Sequence, residues 1–134
     1  DLQGAITIFR KAMELDPESP ELMVNLGRLW LQVGEFNRAD EVLKLAQTFE
    51  QASLRITLLR ARIAIIQQDW PKASQLCDQA VCLKPDSSEA WYVTAVMQKQ
   101  QELLDDAKDS VQHALQLDPV NPGARRLSSE LASQ

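Results

Sequence analysis

Apolar residues recur along this chain at helical spacing. From Leu22 to Val33 they fall at i, i+3 or i+4, and i+7, and Gly34-Glu35 then breaks the run. A second amphipathic stretch extends from about Phe36 to Phe49, where Ala39, Leu43 and Ala46 share one face at i, i+4 and i+7. Nothing alternates with a period of two over a useful length, so the pattern predicts an all-α chain without strands.

The helical pattern is itself repeated. Ala5, Ala39, Ala73 and Ala107 are each 34 residues apart, and so are Ala12, Ala46, Ala80 and Ala114. The same interval relates Leu15, Phe49, Leu83 and Leu117, and also Leu2, Phe36, Trp70 and Leu104. Pro17, Pro85 and Pro119 form another column, with Gln51 as its exception. Ser19, Ser53, Ser87 and Asn121 complete the set, and all are good helix N-cap types. Ser19-Pro20 and Asn121-Pro122 place proline at the first helical position, where its missing N–H costs nothing, and Pro71 falls in the first turn of its helix. The alanine columns are small because two helices must approach closely there.

Met23-x2-Leu26-Gly27-x2-Trp30, followed by Phe36, Ala39, Leu43 and Ala46, resembles the tetratricopeptide-repeat signature W-x2-L-G-x2-Y…A-x3-F…A…P. That resemblance implies a right-handed superhelical solenoid of antiparallel helix pairs forming one domain over 1–134. Residues 1–19 would be the second helix of a partial repeat, 20–53, 54–87 and 88–121 complete repeats, and 122–134 a C-terminal capping helix. Some positions depart from the pattern. Arg60 and Ala64, and likewise Thr94 and Gln98, stand where leucine and an aromatic are usual, so looser pairing is expected in those two repeats. Gln51 in place of proline predicts a more helical junction near 50–53.

Composition narrows the function. With 134 residues, 45% hydrophobic and 25% charged, the chain fits one ordinary folded domain. Its longest apolar run, Ile63–Ile66, is far too short to span a bilayer. A net charge of -5 lacks the basic footprint of a nucleic-acid binder, although Arg55 and Arg62 mark a local stripe. Cys77 and Cys82 form no CxxC pair. The chain opens at Asp1 without an initiator Met or a leader and reads as a fragment, which leaves the cytoplasm as the default compartment. His113 is the only histidine and is expected on a charged helix surface. Asp105 and Asp106 open a helix, where negative charge suits the dipole. Cys77 shares a column with Phe9, Leu43 and Val111 and is expected to be buried, with Cys82 near a helix end. No phosphate loop, HExxH pair or Ser/His/Asp set is present, so neither an enzyme nor a cofactor is expected.

The resemblance also implies where binding occurs, because the first helix of each repeat lines a concave groove and the second helices form the outer wall. Carried over residue by residue, the groove candidates are Val24, Asn25, Arg28, Arg55, Leu58, Arg62, Ile65, Tyr92, Val96 and Lys99. The helix from Leu54 is apolar on nearly every side and carries Arg55, Arg60 and Arg62 with no acid. Such a helix is expected to be buried all round, either by its own neighbours or by a partner in the groove. The expected partner is a protein or peptide with apolar anchors and acidic residues. The chaperone-tail-binding members of the family place a lysine and asparagines where Val24, Arg28 and Leu59 stand here, so that ligand is not expected. Pentatricopeptide RNA binders favour a period one residue longer. At the start, Leu2, Ala5, Phe9 and Ala12 form a second-helix face without its partner helix. A homo-oligomer formed through Leu2 and Phe9 at this edge is the alternative function. At the other end Ala124, Leu127 and Leu131 make one apolar face, opposite Arg125, Ser129 and Ser133.

Overall fold

The computed structural model describes residues 1–133, which form eight helices and no strand. In order these are α1 (Leu2–Leu15), α2 (Pro20–Gln32), α3 (Phe36–Phe49), α4 (Leu54–Ile66), α5 (Trp70–Leu83), α6 (Ser88–Gln100), α7 (Leu104–Leu117) and α8 (Pro122–Ala132). They stack in sequence as a helical-repeat solenoid. Each even-numbered helix starts the same way: Ser19, Ser53, Ser87 and Asn121 accept side-chain hydrogen bonds from the N–H groups of Leu22, Ile56, Ala90 and Ala124. Each cap satisfies a backbone donor that the first turn leaves open, contributing about 1 kcal/mol.

The turns between paired helices are equally regular. Gly34, Gln68 and Glu102 adopt φ of 84°, 58° and 61°. The following residues, Glu35, Asp69 and Leu103, donate their N–H groups back to Trp30, Ala64 and Gln98, closing the preceding helix in a Schellman-type turn. The junction at 50–53 contradicts the expectation from Gln51. α3 ends at Phe49 and Ser53 opens α4, as at the other junctions, because the Ser53 cap decides the boundary whether or not proline precedes it.

The core falls into three clusters, and α4 explains its own composition by belonging to two of them. Ile56, Leu59 and Ile63 pack with Ile6, Met23, Trp30 and Leu43. Leu58, Ala61, Ala64 and Ile65 pack with Leu76, Cys77, Val93 and Met97. Burying each large aliphatic side chain contributes about 1.5–3 kcal/mol. The third cluster joins Ala95 and Val111 to Leu127 and Leu131. Gly27 is needed where α2 meets α3, since a Cβ there would lie 2.8 Å from the Leu43 side chain.

Where the signature departs, the polar replacements find hydrogen-bond partners, only some of them across the repeat's own helix pair. The Arg60 guanidinium reaches back to α3, donating to Asp40 at 3.1 Å and to Gln47 Oε1 at 2.6 Å. Lys72 of α5 meets the other oxygen of Asp40 at 2.5 Å. Burial alone would raise the Asp40 pKa, but hydrogen bonds from Lys72 and Arg60, helped by their charges, outweigh it and hold the carboxyl below its ordinary value. Thr94 donates to the Ala90 carbonyl, and Ser110 donates to Gln98 Oε1. Cys77 is buried as expected, and burial pushes its thiol pKa up to about 11, so it packs as an inert apolar group.

Candidate peptide-binding groove

The even-numbered helices lie side by side and present a row of hollows. The first, about 200 Å³, is lined by Arg28 of α2, by Arg55, Leu58, Leu59 and Arg62 of α4, and by Glu89 of α6. The second, about 300 Å³, runs from Arg62, Ile65 and Ile66 to Tyr92, Val93, Val96 and Gln100. The third, about 260 Å³, continues from Tyr92, Val96, Lys99 and Gln100 to Gly123, Arg126, Leu127 and Glu130 of α8. Arg62 is common to the first two, and Tyr92, Val96 and Gln100 to the last two, so the hollows join into one groove. The Tyr92 ring lies against the first turn of α8. A Cβ on Gly123 would fall 2.6 Å from its Cζ, so glycine is what lets the ring settle there.

Most of the residues singled out in the sequence come together in this groove, with changes of role. Val24 does not: it is fully buried in the first cluster and has no surface to offer, because its side chain points between α2 and its neighbours. Asn25 is half-buried and lines none of the hollows described above. Leu58 and Ile65 line the groove but are covered by their own neighbours, with 8% and 4% of their surface exposed. The all-round apolar character of α4 is therefore satisfied within the chain, and the exception is Ile66, which is 51% exposed. Tyr92, Val96 and Lys99 are half-buried, while Arg28, Arg55 and Arg62 are exposed.

The groove's charges are partly spent internally. Arg62 pairs with Glu89, and Lys99 pairs with Glu130 at 2.6 Å. The Lys99 hydrogen bond, with its charge, holds the Glu130 carboxyl below its ordinary pKa. Arg28 and Arg55 make no ion pair among the described residues. The α8 contribution was missed in the sequence because α8 reads as a cap. The signal existed, since Arg126 and Glu130 lie one 34-residue repeat beyond Tyr92 and Val96.

Other candidate chemistry stays apart from this face. His113 is exposed and stacks on Trp91, with ring centroids 4.1 Å apart. Asp105 and Asp106 occupy the first turn of α7. Among the described residues no group of three or more His, Cys, Asp or Glu is placed to hold a metal ion, and no helix is long and apolar enough to cross a membrane. At the N-terminal edge Leu2 is 40%, Ile8 67% and Leu15 89% exposed. Phe9 is instead half-buried against the first cluster, so Ile8 and Leu15 carry more of the open apolar surface than the sequence suggested.

Comparison with known proteins agrees with the repeat. A family model for the tetratricopeptide repeat matches residues 1–63. The chain is a tetratricopeptide-repeat protein. Among curated relatives it is similar to the BBSome complex member BBS4 of Bos taurus, 31% identical over 91 residues, covering 68% of this chain and 18% of that protein. It is also similar to the protein O-mannosyl-transferase TMTC1 of Homo sapiens, 29% identical over 121 residues, covering 87% of this chain and 14% of that protein. The chain thus spans less than a fifth of either relative. Among solved structures, TTC0263, a thermophilic tetratricopeptide-repeat protein of Thermus thermophilus, superposes with a TM-score of 0.86 at 20% identity, covering 98% of this chain and 73% of that one. The first such domain of Spaghetti (RPAP3), bound to the HSP90 peptide SRMEEVD, superposes with a TM-score of 0.77 at 17% identity, covering 85% and 90%.

Proposed function

We propose that this chain is a non-catalytic adaptor whose groove holds a peptide or helix of a partner protein. The observation that carries this reading is the central hollow, where exposed Ile66 sits beside Tyr92 and Val96 with Arg62 at the rim. An apolar anchor entering there would cover Ile66, and acidic residues on either side would meet Arg28 and Arg55 toward one end and Arg126 toward the other. A structural relative bound to an acidic peptide supports a protein ligand in general terms. Glu89 and Glu130 act as internal competitors, so an acidic partner must displace them to use Arg62 and Lys99.

Pull-down with wild type and with Arg55→Ala/Arg62→Ala, read by mass spectrometry, tests this. The double variant is expected to keep its helicity and to bind a recovered partner about tenfold more weakly or worse. Glu89→Gln, which frees Arg62, is expected to bind that partner more tightly. Unchanged affinity in both variants would remove the groove from the function. A second reading, self-association through α1, is favoured by the exposure of Ile8 and Leu15.

A further inference from the structure

On the side of α2 away from the groove, a cleft of about 500 Å³ opens between α1 and α3, lined by Arg10, Leu26, Trp30, Arg38, Glu41, Val42 and Leu45. Arg28, which faces the groove, is two residues from both Leu26 and Trp30, a rotation of about 200° around the helix. The guanidiniums of Arg10 and Arg38 both lie over the Trp30 ring, each with its Cζ 4.9 Å from the centroid, so they are held at most about twice that distance apart. Neither makes an ion pair among the described residues, although Glu41 also lines the cleft. Leu45, at the mouth, is 46% exposed.

The next joint along the solenoid indicates what is missing. One repeat further on, the place of Arg38 is taken by Lys72 and that of Leu26 by Arg60, and both cations are bound by the carboxylate of Asp40. The residue equivalent to Asp40 at the first joint is Ile6, and the one equivalent to Gln47 is Met13. At the second joint a guanidinium, a carboxylate and an amide fill the space. At the first joint Arg10 and Arg38 remain over an apolar floor, and Glu41 on the cleft wall pairs with neither.

We propose that this cleft is a second protein-binding site, which takes a partner segment presenting a carboxylate beside a bulky apolar side chain. The carboxylate bridges Arg10 and Arg38 from outside the core, two cations on one acid as Asp40 holds Arg60 and Lys72 one repeat later, although Ile6 fills the place equivalent to Asp40. The apolar side chain rests on Val42 and Leu45 at the edge of Trp30. Holding two guanidiniums on one indole preorganises them, which lowers the ordering cost of binding.

The test is selection of a random-peptide display library on the Arg55→Ala/Arg62→Ala variant, which weakens the groove, with the cleft variants below separating the two sites. Enriched peptides are expected to carry Asp or Glu next to Leu, Met, Phe or Trp. A synthetic copy of one should lose about tenfold or more in affinity on Arg10→Gln/Arg38→Gln. Leu45→Glu, at a position that is 46% exposed and outside the core clusters, should weaken it similarly with an unchanged circular dichroism spectrum. In a Trp70→Phe/Trp91→Phe background, binding should change Trp30 fluorescence. No enrichment, or enriched peptides indifferent to both cleft variants, would overturn the proposal while leaving the groove reading standing.

Discussion

At Asp40 a partly buried carboxylate from α3 meets a guanidinium from α4 and an ammonium from α5, so one side chain ties two consecutive repeats together. Removing its charge leaves Arg60, only 13% exposed, without its counterion. Asp40→Asn is expected to lower stability at neutral pH by about 2 kcal/mol, within the range for a cation left partly buried and unpaired. The pH dependence has a definite sign. The folded pKa lies below the ordinary 3.8, so the carboxylate's contribution is complete above that value and is lost as pH falls through the folded pKa. Urea unfolding of wild type and Asp40→Asn should therefore begin to converge as pH falls past about 3.8 and meet only below the folded pKa, and a gap that does not change with pH would refute the assignment. Arg60 was visible in the sequence as a departure from pattern. Its partner was not, because repeat columns compare equivalent positions and Asp40 lies on the preceding helix, 20 residues upstream.

Helix boundaries were largely legible, because the N-caps and the apolar period are local signals. The turn after each even-numbered helix was legible only at Gly34. Its equivalents Gln68 and Glu102 take the same left-handed conformation without a glycine to announce it. There the closing backbone hydrogen bonds override residue preference, at a cost in strain. Gln68→Gly and Glu102→Gly are each expected to raise stability by about 0.5–1 kcal/mol, and Gly34→Ala to lower it by about 1 kcal/mol, measured by thermal unfolding. The groove was legible as a set of helices but less so residue by residue. Val24, Leu58 and Ile65 have groove-type spacing, yet their exposure depends on how closely neighbouring helices approach, which a single helix does not encode.

Across the molecule, the open surface of α1 contrasts with the corresponding faces further along. Val42 and Leu76, the equivalents of Ile8, are half-buried and buried, whereas Ile8 is 67% exposed. If α1 mediates self-association, light scattering should find a dimer that Ile8→Glu converts to monomer without loss of helicity, and a monomer at high concentration would exclude it. Phe9→Glu is a poorer probe, since Phe9 packs on the first cluster and its replacement should also lower the melting temperature. A chain built from neighbour-to-neighbour contacts has no single centre, and its repeats would be free to melt one at a time. The two faces of α4 work against that. Unwinding α4 strips Ile56, Leu59 and Ile63 from one cluster and Leu58, Ala61 and Ile65 from the next, so the second repeat cannot lose its first helix without uncovering the first repeat as well. Fraying from the N-terminal end dissolves the first core as α1–α3 open, and it meets a second, separate cost at residue 54, where opening α4 begins to take apart the next core.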